Sequence, residues 1–220
     1  MPASIAILPV KPFDRAKERL ALDPKARSAF AEETATRVVV ACLAAGLEAV
    51  VVTGDTRVRS WAGYNGAAVI DDPGLGLDGA AAAGVVTALA AGRGWLVIHA
   101  DLPLLTSADL AGIPQAIEAG ITVIAPSPDG GTKLLGSVDE IPFRYGPRSF
   151  ERHVAVIGGR PRIVLVRAGT AIEVDTIEDL RVASRLAGGS WMRRFVVRGS
   201  RCAFSNGPPP PTPSISSSLQ

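Results

Sequence analysis

The sequence predicts a three-layer α/β domain, in which a mostly parallel sheet is covered by helices on both faces and an irregular insert occupies the C-terminal half. Three observations predict it. Short continuous apolar runs alternate with helix-patterned segments through the first 125 residues, as expected for strands buried on both sides and joined by crossover helices. The helical segments carry caps and stops at their ends. After Pro126 the alternation gives way to a turn-rich stretch, SPDGGTKLLGSVDEIPFRYG, and then resumes.

Taken in order, Ser4–Val10 is an apolar run closed by Pro9 and Pro12, the first buried strand. Pro24–Ala45 reads as a long helix, with Asp23 as N-cap and Gly46 just past its end. Glu48–Thr53 is the second strand and Thr56–Tyr64 a short helix. Ala67–Ile70 is the third strand, Ala80–Ala91 a helix and Trp95–His99 the fourth strand. Thr106–Ala119 reads as one helix, capped by Thr106 or Ser107, and Ile121–Ala125 as the fifth strand. Beyond the insert, Ser149–Ile157 is helical, Arg162–Val166 is a strand, AIEVDT at 171–176 is extended, and Ile177–Ala187 is a last helix capped by Thr176.

The 220 residues suit one domain and a tail. Hydrophobic residues make up 47% and charged residues 20%, which supplies a full core and excludes global disorder. The formal charge is +2, which gives no argument for a nucleic-acid partner. The last 33 residues hold four arginines and no acid, so residues 1–187 carry −2. That end is rich in Gly, Ser and Pro and finishes NGPPPPTPSISSSLQ, so residues 188–220 are expected to be a disordered tail after a domain over 1–187. Trp191, Phe195 and Val196 are the residues there that could dock locally. Cys42 and Cys202 form no CxxC pair, and two histidines make no His-rich metal site. No apolar run approaches the roughly 18 residues of a membrane span. The N-terminus has no basic stretch before its short apolar run. A cytoplasmic protein with no membrane partner is expected.

In open α/β sheets, ligands lie beyond the carboxyl ends of the strands. The first strand exits into PVKPFDRAKERL, which places Lys11, Arg15, Lys17 and Arg19 within nine residues. They could neutralise a polyphosphate or form the solvated face of a short helix. The third strand exits into DDPGLGLDG, where Gly74, Gly76 and Gly79 match a dinucleotide fingerprint, with Asp101 22 residues further on. A NAD(P)-binding reading is therefore a rival, although Pro73 disturbs the tight turn and some 65 residues of α/β structure would precede it. The plainer reading is a Gly-rich loop passing close to a nucleotide base or ribose. No Walker A pattern is present.

The fourth strand exits into HADLPLL, which sets Asp101 at the edge of an apolar run. It either holds a cation, Mg²⁺ being usual beside phosphates, or caps the turn into the next helix. Asp175 closes AIEVDT in the same way, and two such acids could hold Mg²⁺ over a triphosphate. His99 reads as a packed core residue. The insert offers GGT at 130–132 and FRYGPRSFERH at 143–153, with Arg144, Arg148, Arg152 and His153 around a Gly-Pro turn and Ser149 near a helix N-terminus. Helix N-termini and arginine forks suit a small, doubly anionic substrate.

PVKPFDRAKERL, HADLPLL, GGT followed by LL, FRYGPRSFERH and EVDTIEDL together resemble the phospholactate or phosphoenolpyruvate guanylyltransferases of deazaflavin-coenzyme biosynthesis, over about residues 4–187. The resemblance implies a Rossmann-like nucleotidyltransferase fold, similar to the sugar-nucleotide transferases, with an inserted acceptor-binding region. It implies that GTP and a phosphorylated three-carbon acid (phosphoenolpyruvate, 2-phospholactate or 3-phosphoglycerate) condense with loss of pyrophosphate. By matching position, Asp101 and Asp175 would hold Mg²⁺. Thr132, Gly146 and Ser149 would bind the acid, and Lys11 and Lys17, with Asp101, would carry the catalysis. Lys11, Lys17, Gly76, Asp78 and Gly79 would meet the nucleotide. His99, Asp78 and Lys133 depart from the residues usual at those positions. A homodimer is compatible with the sequence, and a sugar-phosphate or molybdopterin nucleotidyltransferase of the same fold is the alternative.

Overall fold

The structure, a computed structural model, describes residues 4–196. Seven strands form one sheet: β1 Ile5–Pro9, β2 Glu48–Val52, β3 Ala68–Ile70, β4 Trp95–Ile98, β5 Thr122–Pro126, β6 Thr132–Ser137 and β7 Arg162–Val164. Their spatial order is β3-β2-β1-β4-β6-β5-β7. β6 runs antiparallel to both its neighbours, β4 and β5, and every other pairing is parallel. The helices are α1 Pro24–Ala44, α2 Thr56–Tyr64, α3 Gly76–Ala90, α4 Ile113–Glu118, α5 Ser149–Ile157, α6 Ala168–Ala171 and α7 Ile177–Ala183.

The apolar runs explain the layers. Successive strand residues point to opposite faces, so Ala6 and Leu8 pack with α1, α2 and α4, whereas Ile5 and Ile7 pack with α3 and α5. Both faces are covered, as the continuous Val/Ile/Leu strands require. α3 lies so close to β1 that a side chain at Gly84 would collide with Ile7. Asp23 caps α1 by accepting the Ala26 N–H at 2.9 Å, and Thr176 caps α7 by accepting the Asp179 N–H at 3.2 Å.

Several expected boundaries move. α3 begins four residues earlier than expected, at Gly76, so the Gly-rich loop is partly helix. The single helix expected over 106–119 is a 3-10 turn, Ser107–Leu110, followed by α4. Ala111 is extended and Gly112 has φ +80°, which breaks the helical run before Pro114. AIEVDT is not a strand, because no strand among the described residues lies beside it to pair with; its first residue, Ala171, ends α6, and Asp175 stands in irregular backbone. α7 stops at Ala183 rather than Ala187.

Residues just past the expected domain end at 187 pack against the domain. Met192 and Phe195 are buried in a third cluster with Leu20, Phe30, Val174 and Leu180. Trp191 stacks on Phe30 at 5.5 Å with an interplanar angle of 17°, and Arg37 lies 4.5 Å from the Trp191 ring centroid. These aromatic and sulfur side chains bury enough apolar surface to hold residues 190–196 on α1 despite the surrounding Gly and Arg. Residues 197–220 of the expected 188–220 tail lie outside the described residues. Among the described residues, no helix is long and apolar enough to cross a membrane.

Candidate active site

The strand order reverses at β1, whose neighbours are β2 and β4. Loops leaving the carboxyl ends of β1 and β4 therefore diverge and leave a crevice between them. A cleft of about 450 Å³ lies there, lined by Lys11, Lys17, Leu77, His99, Asp101 and Asp175 among others. That size accommodates a small-molecule substrate or cofactor.

The loop after β1 is pinned at both ends. Phe13 is buried edge-on against Trp61, with ring centroids 5.1 Å apart, and Leu20 sits in the third cluster. Between these anchors Lys17 adopts φ +54°, in the left-handed region, and this turns its side chain inward. Such a conformation costs a non-glycine residue roughly 1–2 kcal/mol and persists where the surroundings enforce it. Lys17 Nζ lies 3.1 Å from Asp101 Oδ2 and 2.8 Å from Asp175 Oδ1. Lys133, from β6, lies 3.5 Å from Asp101 and 2.8 Å from Glu173. The result is a chain of alternating charge, Glu173–Lys133–Asp101–Lys17–Asp175, with one negative charge in excess.

The electrostatics follow from this chain. Burial alone would raise the Asp101 carboxyl, but Lys17 and Lys133 outweigh burial and hold it well below the usual carboxylate range. Burial opposes the charge on Lys17, and Asp101 and Asp175 more than restore it. Glu173 is pushed up by burial against the pull of Lys133. His99 is lowered to about 4 by burial, against the attraction of Asp101, and is neutral at pH 7.

The insert packs beside this charged chain, with the Tyr145 ring 5.3 Å from that of His99. Phe150 N–H donates to the Gly130 carbonyl at 3.1 Å, which seats the GGT turn on the start of α5. Ser149 N–H is also engaged, donating to the Gly146 carbonyl at 3.1 Å, and Gly146 needs its φ of +104° to turn the chain there. Thr132 and Ser149 are both buried. Arg144 N–H donates to His153 Nε2 at 2.8 Å, so the neutral ring carries its proton on Nδ1. Nδ1–H then donates to Thr132 Oγ1, also at 2.8 Å, and the threonine hydroxyl proton is left to donate onward. Arg144 and Arg152 bond to the carbonyls of Phe143 and Tyr145, and Arg148 pairs with Glu151. Of the three, Arg152 ties α5 to the turn before it, whereas Arg144 bonds its own neighbour and Arg148 forms an exposed pair at the start of α5.

The structure brings Lys11, Lys17, Asp101 and Asp175 to one cleft, with Lys11 exposed at its rim. Thr132, Gly146 and Ser149 gather in the adjoining insert, and Lys133 links the halves. Gly76, Asp78 and Gly79 fall in the first turn of α3, where Leu77 is the residue that lines the cleft. Asp78 Oδ1 accepts the Tyr145 N–H at 2.8 Å and so ties α3 to the insert. The glycines do open a helix, as a dinucleotide fingerprint requires, but the strand before them, β3, is a three-residue edge strand set apart from the crevice between β1 and β4, which weakens that rival. Sequence reasoning missed Glu173, two residues before Asp175, and the roles of Lys133 and His153, both inside the motifs that were singled out.

No group of three or more His, Cys, Asp or Glu side chains among the described residues is placed to hold a metal ion. The pair Asp101 and Asp175 nevertheless fits Mg²⁺, which is commonly held by one or two carboxylates with phosphates and water completing its shell. Their oxygens already converge on one cation, the Lys17 ammonium.

A family model described as "Guanylyl transferase CofC like" matches residues 4–182. A phosphoenolpyruvate guanylyltransferase of Rubrobacter xylanophilus is 39% identical over 186 residues, covering 80% of this chain and 90% of the relative. Another, of Thermomonospora curvata, is 37% identical over 211 residues and covers 91% of each chain. In fold, the chain is similar to a protein from Desulfovibrio desulfuricans described as a nucleotide-diphospho-sugar transferase, with TM-score 0.74 and 16% identity over 91% of this chain and 98% of that one. It is also similar to a cytidylyltransferase from Leptospira borgpetersenii, with TM-score 0.53 and 14% identity over 94% of this chain and 98% of that one.

Proposed function

The chain belongs to the guanylyl transferase CofC-like family, a family of nucleotidyltransferases, and from that membership we propose that it transfers the guanylyl group of GTP to the phosphate of phosphoenolpyruvate. A phosphate oxygen of the acid attacks the α-phosphorus of GTP. The new P–O bond forms as the bond to the β-phosphate breaks, and pyrophosphate leaves. The observation that carries this reading is the Asp101–Lys17–Asp175 bridge in the cleft between β1 and β4. Two carboxylates that converge on one cation at a sheet's carboxyl edge suit a triphosphate and its counter-ion.

Asp101 and Asp175 are the residues that would hold Mg²⁺, which when bound supplies charge neutralisation for the α-phosphate and the leaving pyrophosphate. Lys17, drawn inward by its backbone, offers its ammonium to the same phosphates, and Lys11 adds a cation from the rim. The first turn of α3, Gly76 to Gly79, flanks the nucleotide through Leu77. Thr132 presents a hydroxyl proton to the acid because His153 occupies its lone pair, and the Gly146 turn and Ser149 complete that wall. The nucleophile is already an anion, so no general base is required. His99 and His153, both lowered to about 4, are too weakly basic to serve as one. The product would be a diphosphate-linked guanosine acid of the kind used in deazaflavin-coenzyme synthesis.

Purified protein incubated with GTP, Mg²⁺ and each of phosphoenolpyruvate, 2-phospholactate and 3-phosphoglycerate tests the reading. Pyrophosphate release and a guanylylated product by mass are expected with phosphoenolpyruvate. Release that is faster with either other acid reassigns the acceptor, and release with none of them overturns the proposal.

A further inference from the structure

Two buried polar atoms, one on the cleft-lining His99 and one on its neighbour Tyr145, have no hydrogen-bond partner among the described residues: His99 Nε2 and Tyr145 Oη. Their rings are neighbours, with centroids 5.3 Å apart. Both rings are fixed by groups other than these atoms. Lys133 Nζ lies 3.4 Å from His99 Nδ1; an ammonium can only donate, so Nδ1 accepts and the imidazole proton sits on Nε2. Tyr145 stacks on Phe143 at 5.7 Å and 8°, and meets the His153 ring at 5.0 Å. The hydroxyl is therefore held in place by packing and cannot swing to solvent. Burial keeps the phenol protonated, with Asp78 adding to the effect.

The pair occupies a telling position. His99 is two residues from Asp101 and lines the cleft. Tyr145 packs on His153, which holds the Thr132 hydroxyl. The two residues thus stand in a row of contacts that runs from Asp101 through His99, Tyr145 and His153 to Thr132. An unsatisfied buried donor destabilises the fold that carries it, and such a cost is tolerated where a ligand supplies the missing acceptor.

We infer that His99 Nε2–H and Tyr145 Oη–H form a donor pair that hydrogen-bonds the anionic oxygens of the small phosphorylated acid, so that both residues set acceptor affinity. This rests on the guanylyl-transfer reading above. It adds two neutral recognition residues to Thr132, Gly146 and Ser149, beside Lys17 and Lys133, whose ammonium groups are already paired with carboxylates.

Tyr145→Phe removes one oxygen, His99→Leu removes the imidazole donor, and His99→Gln restores an amide donor on a side chain of similar reach. Steady-state kinetics with GTP and phosphoenolpyruvate, read together with thermal melts, decide the matter. Tyr145→Phe and His99→Leu are expected to raise KM for the acid roughly tenfold or more, while KM for GTP stays within about twofold. His99→Gln is expected to recover much of the loss. Tyr145→Phe is expected to melt no lower than wild type, since it deletes an unsatisfied group. A lower melting temperature with both KM values unchanged would make the pair structural and overturn the inference. A raised KM for GTP instead would turn the pair toward the nucleotide and overturn it too. If the wild type releases pyrophosphate and the variants match it, this inference alone fails. If the wild type releases none with any acid, the proposed function fails and the inference falls with it.

Discussion

Lys17 and Asp101, 84 residues apart in the chain, form an ion pair of 3.1 Å across the mouth of the sheet, and the same ammonium lies 2.8 Å from Asp175. Lys17 is only 8% exposed, while the two carboxylates remain partly open to solvent. The lysine therefore occupies the point on which two hard oxygen ligands converge, and a divalent cation arriving with the nucleotide would compete with it for both.

Lys17→Met tests that competition. Removing the ammonium leaves two carboxylates facing each other without their shared cation. Stability is expected to fall by about 1–2 kcal/mol, less than for a fully buried pair because the carboxylates are partly solvated. Mn²⁺, titrated into the nucleotide-free protein and followed by electron paramagnetic resonance, is expected to bind more tightly than to wild type. Unchanged Mn²⁺ affinity would mean that Lys17 does not stand where the metal binds.

Truncation after Ala187 is expected to destabilise the domain. Met192 and Phe195 are buried and Trp191 stacks on Phe30, and each large apolar side chain contributes roughly 1.5–3 kcal/mol when buried. Urea unfolding against a chain ending at Val196 should show a loss of at least about 3 kcal/mol. Equal midpoints would return the domain boundary to 187.

Asp78 is expected to act on the acceptor through the insert, since its Oδ1 holds the Tyr145 N–H. Asp78→Ala should raise KM for the acid several-fold, whereas Asp78→Asn, which keeps a carbonyl acceptor, should stay close to wild type. If both variants instead weaken GTP alone, Asp78 contacts the nucleotide directly.

The buried His153 makes stability depend on pH. Burial lowers its pKa from 6.5 to about 4, against the attraction of Asp78 and together with the repulsion of Arg152 and Arg144. Between those values the unfolded chain binds a proton that the folded one refuses. Its contribution is thus complete above about pH 6.5 and is lost as pH falls toward 4, by up to about 3 kcal/mol. His153→Gln should lessen this slope, measured by urea unfolding from pH 7 to 4.5, and leave the share of His99, which burial also lowers to about 4. A variant with the wild-type slope would exclude His153 as the source.

Much of this was legible in the chain and some was not, for identifiable reasons. The Asp23 cap, the stop at Gly46 and the strand β4 could be read because local side-chain chemistry decides them. The start of α3 was hidden because Gly74, Gly76 and Gly79 read as loop residues, whereas Gly76 and Gly79 lie in the first turn of the helix. AIEVDT has strand composition, yet no neighbouring strand reaches it, and pairing is a tertiary fact. In the site, Asp101 and Asp175 could be found from their places after apolar runs. That Lys17 would bridge them, or that Lys133 would join Asp101 to Glu173, depends on contacts between distant segments that no local pattern encodes.

The central claim is that Asp101 and Asp175 form the centre at which GTP is opened. The most direct measurement is the rate of pyrophosphate release from GTP with Mg²⁺ and phosphoenolpyruvate, for wild type, Asp101→Asn and Asp175→Asn. Each substitution removes a charge and nearly keeps the shape. Each is expected to lower turnover at least about a hundredfold, equivalent to roughly 2.7 kcal/mol of transition-state stabilisation, in protein that still folds by circular dichroism. Folded variants that release pyrophosphate within about twofold of the wild-type rate would contradict the account.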